Sequence, residues 1–187
     1  MLIAVLVILV LLVGVVGFAA SGFNRLRRAD IRAQEALGGI DVQLTRRADQ
    51  IPNLVETVKG YAEHEKGVFE EVTAARTGLQ RAAASDDVEQ KVAADAAMQQ
   101  ALVRVNAVAE GYPDLKASTN FQELQTQLAD TENQLSFARQ YYNDAVATVN
   151  KLVQTIPWMF FSGLAKVGTR KFYQAPEGQQ QAPRVQF

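Results

Sequence analysis

The chain has no cysteine, and it has only one histidine and one tryptophan among its 187 residues. Without cysteine there is no disulfide and no lipidated-cysteine anchor, and cysteine-based catalysis is excluded. Charge of one sign is not in excess either, because the net charge is −1 and the isoelectric point is about 5.9. Nucleic-acid binding needs a dense basic surface to neutralise phosphates, so we predict no nucleic-acid partner.

The single histidine, His64, stands between Glu63 and Glu65 but lacks the partners that site chemistry requires. A zinc site of the His-Glu-x-x-His type needs a second histidine four residues later, where this chain has Val68. A di-iron bundle needs Glu-x-x-His pairs, and position 61 is tyrosine. The sequence also has no nucleophile elbow and no glycine-rich phosphate loop. We therefore predict no catalytic residue, no metal and no cofactor, and we interpret this run as a solvated helix face.

The first twenty residues contain no charged side chain. As a helix they span about 30 Å, which matches the hydrocarbon thickness of a bilayer. The alternative is a cleaved signal peptide, since small residues at 19–21 offer a cleavage site. No basic residue precedes the run, however, and the run is longer than the usual apolar region of about 7–15 residues in signal peptides. We predict a retained single-pass transmembrane anchor over residues 1–22.

Basic residues follow this anchor directly and predict its orientation. The positive-inside rule places the more basic flank in the cytoplasm. The flank after the apolar run has four arginines, whereas the flank before it has only the α-amino group. We therefore expect the downstream domain in the cytoplasm and the N-terminus outside. The four arginines are Arg25, Arg27, Arg28 and Arg32.

Long amphipathic helices are predicted for residues 24–156, which contain only two prolines. Between Phe121 and Ile156, apolar residues recur at alternating steps of three and four, and such a coiled-coil-like seam requires partner helices. Residues 88–110 show the same periodicity. Ser118, Thr119 and Gln122 offer a start for the last helix, and Asp86 with Glu89 offers a capping pair for the preceding one. Gly111, Pro113 and Pro157 provide stops.

Two helix arrangements remain open around Pro52. If Asp49 caps a new helix that contains Pro52 in its first turn, four helices result, at roughly 24–49, 50–84, 87–111 and 119–156. Alternatively, one helix runs from the membrane to about residue 83 and is kinked at Pro52. Gly38 and Gly39 mark either a weak point or a close backbone approach, and we favour the weak point. The predicted class is all-α, an antiparallel bundle after the anchor, with four up-and-down helices favoured over three.

Polar residues along the apolar stripes form a predicted structural seam. In coiled coils, polar core positions fix how helices meet, through charge-assisted hydrogen bonds between helices. A ligand site built from the same groups is the alternative. The predicted seam residues are Arg46, Arg47, Asp49, Asn53, Arg139, Tyr142 and Asn143.

The composition changes after the predicted bundle of residues 23–156. Residues 157–174 are aromatic at one end and basic at the other. Trp158, Phe160 and Phe161 either seal the end of the bundle or lie in the membrane interface, where aromatic rings beside basic residues are favoured. Residues 175–187 have the proline, glutamine and glycine content of a flexible tail.

These features together resemble the LemA family of bacterial proteins. The resemblance rests on Ile40–Leu44, Arg46-Arg47 with Asp49, the run IPNLVETVKGYAEHE at 51–65, Ala75-Arg76, ARQYYN at 138–143 and the closing APRVQF at 182–187. Gly38-Gly39 departs from the family pattern, in which bulkier residues are expected. The resemblance implies a four-helix bundle on a membrane stalk in the bacterial inner membrane, without established enzymatic activity. It further implies a gene setting near membrane-bound metalloproteases, and a relative that is associated with building magnetosome membranes.

Two non-enzymatic hypotheses follow. The first is a membrane-anchored scaffold that self-associates through exposed helix faces, with membrane lipids and copies of itself as partners. Its motivation is the length of the helices and the alanine-rich stretches outside the main stripes. The second is an adaptor that binds and regulates another membrane protein, such as a membrane protease.

Overall fold

The computed structural model describes residues 1–174, and the predicted tail at 175–187 lies outside the described residues. Six α-helices and no strand occur within the described part, which confirms the all-α class. The helices are α1 (Leu2–Lys59), α2 (Lys66–Ala83), α3 (Val88–Glu110), α4 (Pro113–Ala117), α5 (Thr119–Gln154) and α6 (Met159–Ala165).

Pro52 neither begins a helix nor kinks one that runs to residue 83, so both predicted arrangements around it are wrong. Helix α1 passes through Pro52 and ends at Lys59, and residues 60–65 form the turn before α2. Proline has no N–H, so the carbonyl of Ala48, four residues earlier, loses its helical donor. The side chain of Arg76 on α2 donates from Nε to this carbonyl at 2.9 Å. A tertiary hydrogen bond thus replaces the missing backbone bond, and the helix continues.

Gly38 and Gly39 also lie within continuous helix, so the predicted weak point does not interrupt α1. Both glycines are exposed, and a Cβ atom added at either one would meet no atom within 4 Å. The alternative of a close backbone approach is therefore excluded at this pair. The close approach occurs instead at Gly22, where an added Cβ would lie 2.5 Å from the Phe161 ring.

Helix ends follow the predicted stops more closely than the predicted caps. Helix α3 begins after Asp87, whose carboxylate accepts hydrogen bonds from the backbone N–H groups of Glu89 and Gln90, so Asp87 is the cap and not Asp86. At the start of α5, the side chain of Gln122 donates to the carbonyl of Lys116 rather than closing a capping box with Thr119. The short helices α4 and α6 were not predicted.

The chain divides into two compact units, which α1 and α5 both pass through. Among the described residues, unit 1 comprises residues 1–36 and 141–172, and unit 2 comprises residues 37–140 and 173–174. In unit 2, side-chain pairs connect segments of α1, α2, α3 and α5. Arg47 and Asp41 on α1 pair with α3, Arg76 on α2 reaches back to α1, and Gln125 on α5 bonds Asn106 on α3 at 2.9 Å.

The core of unit 2 is formed by the predicted apolar stripes, with one shift on α1. Leu54 is completely buried, whereas Val55, which was predicted to lie on the stripe, is only half-buried. On α5 the predicted seam is buried from Phe121 through Leu135, and it includes its one polar member, Thr131. Burial of these side chains stabilises the unit by about 25 cal/mol per Å² of apolar surface.

Unit 1 contains the apolar start of α1, the end of α5, and α6. Residues 2–18 of α1 expose every apolar side chain. Further along, Asp30 on α1 accepts a hydrogen bond from Arg170 Nε at 2.7 Å. The backbone of Arg170 exchanges two hydrogen bonds with the side chain of Asn150, at 2.8 and 3.0 Å. These bonds fasten the segment after α6 to α1 and α5.

Substitutions at positions 52 and 76 should be energetically coupled. Arg76→Met leaves the buried Ala48 carbonyl without a donor, which costs about 1–3 kcal/mol. In a Pro52→Ala background the new backbone N–H supplies that donor, so Arg76→Met should cost at least about 1 kcal/mol less there. Urea unfolding of the four chains by circular dichroism measures the coupling. Arg81→Met, at an exposed position of the same helix, is the control, and equal costs of Arg76→Met in both backgrounds would contradict the assignment.

Candidate functional site

A buried ionic cluster joins three helices of unit 2. Arg47 on α1 is 3% exposed, and its Nη1 donates to Asp95 on α3 at 2.8 Å and lies 2.9 Å from Glu132 on α5. Arg139, on α5, pairs with both Asp95 and Glu132. Two guanidinium groups therefore face two carboxylates, and the four formal charges sum to zero. Buried charges are tolerated when they are paired and hydrogen-bonded in this way.

Tyr173 adds a further donor to the cluster. It follows α6, and its hydroxyl donates to Asp95 Oδ2 at 3.0 Å and lies 3.3 Å from the carbonyl of Lys91. Its ring lies under the guanidinium of Arg139, with 5.4 Å between the guanidinium carbon and the ring centroid. Asp95 thus receives hydrogen bonds from two arginines and one phenol, so both carboxylate oxygens are satisfied within the protein.

Lys91 forms a second buried ionic contact one helical turn from Asp95. Its ammonium group is fully buried and has three acceptors: the carboxylate of Asp41 and the carbonyls of Ala82 at 3.0 Å and Ala83 at 3.3 Å. An ammonium group has three protons, so each proton has a partner. The two carbonyls belong to the last turn of α2, where a cation also complements the helix dipole. Lys91 thus ties α1, α2 and α3 together.

The electrostatics of the cluster are set by burial opposed by ion pairing. Burial raises the pKa of the Asp95 carboxyl, and the guanidinium groups of Arg139 and Arg47 oppose that rise without reversing it. Burial likewise raises the pKa of Asp41 against the opposing effect of Lys91. For Tyr173, burial and the Asp95 charge together raise the phenol pKa strongly, so the hydroxyl stays protonated and remains a donor.

The structure brings only part of the predicted seam into this cluster. Arg47 and Arg139 lie in it, while Arg46 is exposed and donates to Gln134 at 3.1 Å. Asp49 and Asn53 are exposed and have no side-chain hydrogen bond to any residue in 1–174, because their steps along α1 turn them away from the side that carries Arg47. Those two assignments are therefore corrected.

Gln50 takes the place that was predicted for Asp49 and Asn53. It is buried, and its side-chain amide donates to Thr131 Oγ1 at 3.1 Å and to the carbonyl of Gln127 at 3.3 Å. The remaining predicted seam residues, Tyr142 and Asn143, belong to unit 1. There, the buried Tyr142 donates from its hydroxyl to the carbonyl of Lys171 at 2.9 Å.

The aromatic residues predicted for the membrane interface also lie in unit 1. Trp158 stacks on Phe18, the last large apolar residue of the exposed run, with 6.1 Å between ring centroids. Phe161 meets Phe18 edge to face at 5.7 Å and packs against Gly22. Phe160 is exposed. Two of the three rings thus pack around the end of the apolar run of α1.

Three members of the cluster, Asp95, Glu132 and Tyr173, were missed from the sequence, and so was the neighbouring Lys91. The sequence contains a signal for two of them. Lys91 and Asp95 lie on the apolar stripe of α3, since Lys91, Asp95, Met98 and Leu102 follow one another at steps of four, three and four. Two ionisable residues on a core stripe indicate a buried pair. Nothing local marks Tyr173, since its partners are 78 and 82 positions away.

The arrangement of the cluster is suited to fixing helix register. Its charges pair with one another, and each acidic or basic group meets a partner on a different helix. Within residues 1–174, no group of three or more His, Asp or Glu side chains is placed to hold a metal ion. His64 lies exposed in the turn between α1 and α2.

Removal of the central carboxylate should be strongly destabilising. Asp95→Asn leaves Arg47 and Arg139 buried with one carboxylate between them, and breaking such a pair costs about 3–5 kcal/mol. Glu71→Gln is the matched control, since its ion pair with Arg104 is largely exposed and should contribute at most about 1 kcal/mol. Urea unfolding of the detergent-solubilised chains tests both. A cost at position 95 as small as that at position 71 would contradict the structural role.

The contribution of Tyr173 should depend on alkaline pH. Its folded-state pKa lies above the ordinary value of 10.0, so its stabilisation is fully present below about pH 10 and is lost as the pH rises further, because only the unfolded phenol ionises. The stability difference between wild type and Tyr173→Phe should therefore shrink by about 0.8 kcal/mol between about pH 9 and about pH 10.5. Urea unfolding at both pH values measures the change, and an unchanged difference would show that the phenol is not held protonated.

Sequence comparisons relate this structure to known proteins. The magnetosome protein MamQ of Magnetospirillum gryphiswaldense is 24% identical over an alignment of 172 residues, which covers 78% of this chain and 62% of MamQ. MamQ 1 and MamQ 2 of Paramagnetospirillum magneticum are each 27% identical over 81 residues, covering 43% of this chain and 30% of their own length. The chain thus spans less than two thirds of these relatives. The family model of LemA matches residues 36–187, most of the chain, and this protein belongs to the LemA family.

Proposed function

We propose that this protein is a non-enzymatic, membrane-anchored scaffold that self-associates through exposed helix faces and thereby organises or shapes the membrane. The observation that carries the proposal is Phe137, in the middle of α5, which is 71% exposed. Aromatic rings of this size are enriched at protein–protein interfaces. Val42 on α1 and Val103 on α3, 61% and 58% exposed, add apolar surface on other helices of unit 2.

The anchor supports a role at the membrane. Within the described residues, α1 is the helix long and apolar enough to cross a bilayer. Residues 2–18 expose apolar side chains on all sides, a surface that lipid covers and water does not. The helix runs without interruption from this segment to Lys59, which favours a retained anchor over a cleaved signal peptide. By the positive-inside rule, the four arginines after the anchor favour a cytoplasmic domain at the bacterial inner membrane.

The chemistry of unit 2 supports a scaffold rather than a catalyst. A catalytic group has to reach a substrate, whereas both carboxylate oxygens of the buried Asp95 already accept hydrogen bonds from Arg47, Arg139 and Tyr173. The relatives in Magnetospirillum and Paramagnetospirillum are named for a cell structure, the magnetosome, and not for a reaction. Anchoring also confines copies to one surface, which raises their effective concentration for self-association.

Charge placed at position 137 should reduce self-association. Phe137→Glu puts a carboxylate on the proposed contact and removes its largest apolar side chain, so we expect a shift to smaller species by at least about tenfold in dissociation constant. Sedimentation equilibrium of the detergent-solubilised full chain measures the change. Ser136→Glu, an exposed neighbour on α5 with the same added charge, is the matched control and should leave assembly unchanged.

Other outcomes discriminate against the proposal. A strictly monomeric wild type would contradict it. One stoichiometric foreign membrane protein, recovered from native membranes with no self-assembly, would favour the adaptor that regulates a membrane protein such as a protease. A phenotype lost on substituting His64 together with Glu63 and Glu65, with assembly intact, would favour an enzyme instead.

A further inference from the structure

Unit 1 contains an open groove of about 840 Å³ beside the end of the apolar run. Four basic side chains line it, three from α1 and one from α5, and none of its lining residues is acidic. We call this feature the basic groove; its basic residues are Arg25, Arg28, Arg32 and Lys151. The three arginines are spaced i, i+3 and i+7, so they project from one face of α1 toward α5.

The cations of the groove are available to a ligand. Arg28, Arg32 and Lys151 are exposed, and within residues 1–174 none of them forms an ion pair or donates a side-chain hydrogen bond. The neighbouring cations outside the groove differ, since Arg27 lies 3.6 Å from Asp30 and Arg170 lies 2.7 Å from it. Asp30 thus pairs with cations that do not line the groove, and the positive charge of the groove has no ion-pair partner among its lining residues.

The membrane end of the groove lies at the level of the lipid headgroup layer. Its first lining residue, Ser21, directly follows the apolar run. At about 1.5 Å per residue, Arg25 lies about 8 Å, Arg28 about 12 Å and Arg32 about 18 Å beyond Ala20. The headgroup layer is about 5–8 Å deep, so the backbone of Arg25 lies at its outer edge and those of the other two arginines lie beyond it. Arginine side chains extend back toward the headgroups when their helix leaves the membrane. The groove therefore begins where lipid phosphates are found.

Trp158 shapes the membrane side of the groove. The guanidinium of Arg25 lies over its ring at 4.6 Å, and the other end of the stack is Phe18, in the last turns of the apolar run. This cation–π contact fixes Arg25 by the face of its guanidinium and leaves the N–H edge for hydrogen bonds. Tryptophan beside an arginine at this depth is the arrangement of an interfacial belt.

We infer that the basic groove binds the phosphate headgroup of an acidic phospholipid, with lipids that have two phosphates bound more tightly than lipids with one. Guanidinium groups bind phosphate oxygens through paired hydrogen bonds, and basic pockets beside membrane helices suit such headgroups. The four positive charges of the groove exceed the single charge of a one-phosphate lipid, which is why a second phosphate adds affinity. The inference concerns unit 1 and does not depend on self-association.

Trp158 provides the measurement, since it is the single tryptophan of the chain. The full-length protein is placed in nanodiscs of phosphatidylcholine with a small fraction of brominated lipid, and bromine near Trp158 quenches its fluorescence. We expect brominated cardiolipin to quench more than phosphatidylcholine with the same bromine content. The triple variant Arg28→Gln, Arg32→Gln, Lys151→Gln should lose this excess, with relative affinity falling on the order of fivefold for each cation removed. Circular dichroism checks that it remains helical.

Arg27→Gln is the matched control, because it removes a charge at the same depth but outside the groove, and it should keep the excess quenching. Equal quenching by the two lipids in wild type would overturn the inference. The inference would also be overturned if Arg27→Gln lost one third or more of the excess quenching that the triple variant loses. Such a loss would indicate that general surface charge attracts the lipid. If millimolar inorganic phosphate at constant ionic strength abolishes the excess, the ligand is a soluble phosphate and the lipid assignment is wrong.

Discussion

The pairing of Asp95 with Arg47 and Arg139 is the constraint around which unit 2 is built. Each of these charges would be costly to bury alone. Burial becomes tolerable only when α1, α3 and α5 are aligned along their axes so that the charged groups meet. An apolar seam accepts small slips between helices, because one leucine contact resembles the next. A salt bridge through a single carboxylate does not. Lys91 applies the same rule one turn away, where it joins the end of α2 to Asp41.

Much of the fold was predictable because it rests on periodicity. The stripe of α5 and the bounds of α3 follow from apolar spacing and from Gly111, which are local properties of the chain. The path of α1 through Pro52 was not predictable in this way, because the donor to the Ala48 carbonyl comes from Arg76, 28 positions after Ala48. Local rules describe what proline removes and do not say what the rest of the protein supplies.

The candidate site was also only partly predictable from local sequence patterns. The predicted seam treated its polar residues alike, as groups that bond between helices. Arg47 and Arg139 lie in the cluster, whereas Asp49 and Asn53 lie on another side of α1. Gln50, one residue from Asp49, is the buried one. A rotation of about 100° per residue separates a core position from a solvent position, so a polar cluster in the sequence need not be a cluster in space.

Tyr173 has a consequence for the order in which the protein is made. The two arginine partners of Asp95 are complete once residue 139 has been synthesised, but the phenol arrives 34 residues later. At roughly 5–20 residues per second this interval lasts about 2–7 seconds. During that time the helices of unit 2 can collapse on their ion pairs, while the last donor to Asp95 is still absent. The final hydrogen bond of the cluster therefore forms only after synthesis has reached residue 173. A chain that terminates before this residue retains all four charges but lacks the phenol that donates to Asp95.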